Sequence, residues 1–226
     1  MAEAVPFVFF TECRLVELTG LKARSLPELA AILREAPGSS IYHHTHHQYL
    51  LHHFEKPLFY NDFAIWVSQA LQEARLGEEL AAIDLLSFTS IRQLREAIVA
   101  KIENHIERSG RPIRECPPGE ELHFCKSMSF VMPTGAIARD PADFFAKLPG
   151  ITNNSVYFHF FEARLRLERP TNDFSAWLNA IGHEKIARAI DRIDPYVLTL
   201  DELKIEIVKL GKKYLGDPDG RLTPGL

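Results

Sequence analysis

Apolar residues recur at helical spacing along much of the chain. Ile91, Leu94, Ile98, Ile102 and Ile106 stand three or four apart and predict a long amphipathic helix. Leu200, Leu203, Ile207 and Leu210 predict a second, entered through the capping box Thr199-x-x-Glu202. Shorter helices are predicted after Ser25-Leu-Pro-Glu28 and after Asp140-Pro-Ala-Asp143, ended by Pro37-Gly38 and Pro149-Gly150. Further helices are expected over about 40–54 and 155–168, ended by Pro57 and Pro170, and from the N-cap residues Asn61 and Asn172. Short helices near 78–86 and 184–193 complete the set. Residues 7–18 and 123–132 are short and β-tolerant, and fit either a strand or an extended lead-in. A Thr-Gly turn follows each, at Thr19-Gly20 and Thr134-Gly135.

These elements occur in the same order twice. Thr19-Gly20-x-x-Ala23-Arg24 matches Thr134-Gly135-x-x-Ala138-Arg139, and Ser40-x-Tyr42-x-His44 matches Ser155-x-Tyr157-x-His159, both at an offset of 115. Asn61-Asp62-Phe63-x-x-Trp66 matches Asn172-Asp173-Phe174-x-x-Trp177 at 111, and Gly77-x-Glu79 pairs with Gly182-x-Glu184 at 105. Ordered blocks sharing rare residues point to duplication. The expected organisation is a first helical repeat over 6–109, a linker at 110–120 rich in Pro and Gly, a second repeat over 121–214 and a flexible tail at 215–226. The expected fold is mostly α. It has two tandem units of about five helices each, packed as a pseudo-twofold fused dimer, with a short extended segment at the start of each.

Composition narrows the function classes. Across 226 residues, 46% hydrophobic and 25% charged residues suit a globular protein with a real core. A net charge of −4 gives no electrostatic case for nucleic acid or an anionic membrane. No apolar run is long enough to span a bilayer, and residues 1–10 have no basic region of a signal peptide, so the expected location is cytoplasmic. Cys13, Cys116 and Cys125 are odd in number and lack C-x-x-C spacing, which argues against a disulfide framework or structural zinc.

Six of the ten histidines lie between 43 and 53. Comparison of the two copies reduces them: His43 and His46 face Phe158 and Phe161, and His52 and His53 face Leu167 and Glu168. His44 is matched by His159, and His47 by Glu162. His44 and His47 stand one helical turn apart, as do His159 and Glu162, so these four are the candidate ligands of a divalent zinc, iron or manganese ion. The alternative is that each matched histidine is a partly buried group bonded to a backbone carbonyl. Tyr42, His44, Tyr157 and His159 are the candidate lining of a ligand cleft between the repeats. Arg24 and Arg139, beside helix starts, are candidate anion contacts. Asp62 and Asp173 fit a capping role at helix N-termini, or a carboxylate near the histidines. There is no G-x-S-x-G, H-E-x-x-H or G-x-G-x-x-G.

The blocks T-G-x-x-A-x, S-x-Y-x-H and N-D-F-x-x-W resemble those of a family of uncharacterised prokaryotic proteins, over residues 9–210. The resemblance implies a bacterial or archaeal origin and a tandem domain, and carries no activity. The expected function is a non-catalytic or regulatory binding protein for a small molecule or protein. The alternative is a metal-dependent enzyme with ligands from the two histidine-bearing helices.

Overall fold

A computed structural model describes residues 5–47, 59, 61–110, 112 and 114–216. Two long strands, β1 (Phe7–Ala23) and β2 (Leu122–Ala138), form an antiparallel sheet. Cross-strand contacts set its register. Arg14 Nε donates to Ser129 Oγ at 3.2 Å, Lys126 lies 3.2 Å from Glu17, and Thr19 Oγ1 donates to the Phe124 carbonyl at 2.7 Å.

Between the strands run α1 (Leu26–Glu35), α2 (Gly38–Tyr42), α3 (Asp62–Gln69), α4 (Ala74–Ala81) and α5 (Ile91–Ser109). After β2 come α6 (Pro141–Lys147), α7 (Asn153–Tyr157), α8 (Ala163–Leu167), α9 (Asp173–Ala180), α10 (Glu184–Asp191) and α11 (Leu200–Leu215). α2 and α7 each run on into a π-helical turn, His43–His47 and Phe158–Glu162. The predicted caps form: Ser25, Asn61, Asp140, Asn172 and Thr199 each accept a backbone N–H of the first turn. The end of the expected histidine helix, with His52, His53 and Pro57, and the expected tail beyond Gly216 lie outside the described residues.

The expected architecture does not hold. The fold is mixed α and β, not mostly α with paired helical units in a fused dimer. The open alternative at 7–18 and 123–132 resolves as strand, and both strands run on through the expected turns. Gly20 (φ +79°) and Gly135 (φ +83°) are left-handed kinks inside the strands, where a side chain would be strained. Thr19 and Thr134 brace them, each accepting the N–H two residues on. The pairing of Gly77 with Gly182 also fails. Gly77 lies inside α4, where a Cβ would stand 2.8 Å from Ser68 Cβ, whereas Gly182 is left-handed just before α10. Gln72, at φ 55°, holds the like position before α4.

The chain forms two compact units, each drawn from both halves of the sequence. The upstream unit takes the described parts of 14–52 and 57–129, and the downstream unit those of 1–13 and 130–226. Each strand therefore passes from one unit into the other. In the upstream unit Leu29, Leu33, Phe63, Leu94, Ile102 and Phe124 are buried together. In the downstream unit Phe7 and Phe9 pack on Phe144 at 5.3 and 5.4 Å. Full burial of such side chains contributes about 1.5–3 kcal/mol each, so these strand segments are part of the cores. Among the described residues no helix is long and apolar enough to cross a membrane.

Candidate functional site

Ser-x-Tyr-x-His places a hydroxyl and an imidazole one helical turn apart. In the upstream unit Ser40 Oγ donates to the Cys125 carbonyl at 2.6 Å, and the Cys125 N–H donates to His44 Nε2 at 2.9 Å. In the downstream unit Ser155 Oγ donates to the Phe10 carbonyl at 2.6 Å, and the Phe10 N–H donates to His159 Nε2 at 2.8 Å. The two side chains thus bond one strand residue on both its backbone groups, as a neighbouring strand would. The expected carbonyl partner of each histidine is instead a backbone N–H.

Asn-Asp-Phe-x-x-Trp completes the clamp. Asn61 and Asn172 start α3 and α9, which sets the following aspartate against the imidazole: His44 Nδ1 is 2.7 Å from Asp62 Oδ2, and His159 Nδ1 is 2.7 Å from Asp173 Oδ2. Phe63 and Phe174 pack on the same rings at 5.4 and 5.5 Å. Trp66 Nε1 donates to the Glu120 carbonyl at 2.6 Å, and Trp177 Nε1 to the Val5 carbonyl at 2.8 Å.

The tautomer follows from these bonds. Because Nε2 accepts a backbone N–H, the neutral ring carries its proton on Nδ1 and donates it to the aspartate. As arranged, neither His44 nor His159 offers a lone pair to a metal or to a substrate proton. Burial pushes the His159 pKa below the ordinary imidazole value, against the pull of Asp173.

The other candidates each belong to one unit. His44 and His47 belong to the upstream unit, His159 and Glu162 to the downstream unit. His47 Nδ1 lies 3.2 Å from Ser127 Oγ, which His43 Nδ1 also reaches at 2.8 Å. Tyr42 is buried, stacks on His46 at 5.3 Å and accepts a bond from Arg14 Nη2 at 2.5 Å. Tyr157 is fully buried and stacks on Phe161 at 5.2 Å. Arg24 stands 3.8 Å from Glu121, and its backbone N–H donates to Glu28. The Arg139 N–H donates likewise to Asp143. The ligand atoms of His43, His44 and Asp62 do lie within 4.8 Å of one another. Burial pushes the Cys116 and Cys125 thiols up, away from nucleophilic thiolate.

The model of a family of unknown function, DUF5752, matches residues 4–212. The chain belongs to this family. It is also similar to OrfY from Thermoproteus tenax, at 30% identity and a TM-score of 0.79, over 92% of this chain and 95% of that one. No curated protein matches it.

One concave feature adjoins a clamp. In the downstream unit of this DUF5752 member, an open groove of ≈ 520 Å³ is lined by Phe7, Phe10, Phe158, Arg166, Asp173 and Trp177, among others. The Arg166 guanidinium lies 4.6 Å over the Phe158 ring and pairs with the Asp173 carboxylate that holds His159. Sequence reasoning missed Arg166. The available signal was an arginine six residues before the conspicuous Asn-Asp block.

Proposed function

We propose that this protein is a non-catalytic binding protein, built on a duplicated strand-and-helix segment, and that its ligand occupies the groove beside the downstream clamp. The observation that carries this reading is the lining itself: aromatic walls from Phe10, Phe158 and Trp177, with one cation, Arg166, whose donors beyond the Asp173 pair face the groove's ligand in this reading. Such a mixture suits an amphipathic small molecule with a flat apolar body and an anionic group. The committed ring nitrogens of both matched histidines support a binding rather than an acid–base role. Three cysteines without a disulfide fit a reducing compartment such as the cytoplasm. The competing reading, a metal-dependent enzyme, draws on the proximity of His43, His44 and Asp62. The Nδ1–H tautomer of His44 weighs against it.

Trp177 reports directly on the groove. In a Trp66→Phe variant, which leaves Trp177 as the single indole, titration with aromatic carboxylates such as phenylacetate and indole-3-acetate is expected to change the emission saturably. Arg166→Gln should weaken binding about tenfold or more, the loss of a charge-assisted bond. No saturable change with any such compound would overturn this reading.

A further inference from the structure

Two polar side chains of the downstream groove, Asp173 and Arg166, have bonding capacity left over. Everything that reaches the Asp173 carboxylate meets one oxygen: His159 Nδ1 and Arg166 Nη2 both donate to Oδ2. Oδ1 has no partner among the described residues. The Arg166 guanidinium bonds Asp173 through Nη2 alone, so its Nε and Nη1 donors have no partner among the described residues either. The Asp173 side chain is 14% exposed and that of Arg166 42%, so neither is sealed in the core. An unused acceptor and unused donors therefore stand side by side in one groove.

Charge decides what suits them. Arg166 and Asp173 are the two charged side chains of the lining, and as a pair they sum to zero. A plain carboxylate on Arg166 would lie beside the Asp173 carboxylate and leave the groove with a net negative charge. A plain amine on Asp173 would lie beside the guanidinium and leave it positive. Like charges that close, in a groove walled by aromatic rings, work against binding. A ligand with an ammonium and a carboxylate on one carbon meets both side chains with opposite charge and keeps the groove neutral. The walls from Phe10, Phe158 and Trp177 then suit an aromatic ring attached to that carbon. The volume of ≈ 520 Å³ is ample for such a molecule.

We propose that the ligand of this groove is an aromatic α-amino acid, with its carboxylate on the unused N–H groups of Arg166 and its ammonium on Asp173 Oδ1. The assignment rests on the groove being the ligand site, as proposed above. It adds to the anionic group a cationic donor that Asp173 recognises. The Asp173 carboxylate thus has two tasks, one oxygen holding the His159 clamp and the other reading the ligand.

Calorimetric titration of the full wild-type chain with L-phenylalanine, 3-phenylpropionate and phenethylamine tests this. The second compound lacks the ammonium and the third the carboxylate. Phenylalanine is expected to bind about tenfold or more tightly than either, the effect of one charge-assisted bond. In Arg166→Gln, with the helical circular dichroism unchanged, phenylalanine should lose its advantage over phenethylamine. The comparison of ligands needs no variant, so it decides the matter even if Arg166→Gln fails to fold. Equal binding of phenylalanine and 3-phenylpropionate overturns the amino-acid assignment and leaves the groove reading standing. A tenfold preference for phenylalanine over phenethylamine that survives in folded Arg166→Gln overturns the assignment as well. So does a failure of phenylalanine to bind, and if the Trp177 emission is also flat with phenylacetate and indole-3-acetate, the groove reading falls with it.

Discussion

His43 illustrates how a single residue can be read from sequence only up to a point. It corresponds to Phe158, and like a phenyl ring it is buried. Burial, then the neighbouring His44, pulls its pKa down to about 4, against the attraction of Asp62. The folded ring is neutral, and on unfolding it regains its ordinary value of 6.5. Its contribution to stability is therefore fully present above pH 6.5 and is lost as the pH falls towards 4. His43→Phe should reduce the stability difference between pH 7 and pH 5 by about 2 kcal/mol, measured by urea unfolding at the two pH values. Comparison of the two matching stretches separated His44 from its neighbours, because only that histidine recurs. The bonding partners of its ring, a strand N–H and a carboxylate, were not legible. They lie 81 and 18 residues away.

At the scale of elements, helices were legible where a stripe or cap is local. The stripe of α5 is buried at Leu94, Ile98 and Ile102, and the Thr199–Glu202 capping box forms. The strands were not, since β1 is buried on both sides of an exposed middle and lacks a sustained two-residue alternation. The π-helical turns also escaped a reading at 100° per residue: all five residues from His43 to His47 are buried, so that turn has no exposed face. What ties these elements together is the clamp. His159→Phe keeps the ring volume but strands the Phe10 N–H, and costs the Asp173 carboxylate its imidazole donor. It should cost about 2–3 kcal/mol, a fall of roughly 5–10 °C in Tm by differential scanning calorimetry.

For the whole molecule, the consequence is that neither half of the sequence owns a complete unit. The helices after β2 need Phe7 and Phe9 from the start of the chain, and those before it need Phe124. A fragment of residues 121–216 should therefore lack a cooperative thermal transition. Adding a fragment of residues 1–110 should restore one, read by circular dichroism. A cooperative transition in the isolated 121–216 fragment would refute this dependence.

The six-histidine stretch and its echo could be singled out from sequence alone, because motif spacing, caps and apolar stripes are properties of neighbouring residues. The same information set helix starts through Ser25, Asn61, Asp140, Asn172 and Thr199. Only the tertiary structure decided what Ser-x-Tyr-x-His is for. A hydroxyl and an imidazole one turn apart can bind many things, and which backbone they bond depends on a strand brought from across the chain. That pairing rests on hydrogen bonds spanning as many as 149 residues, for which no local pattern exists.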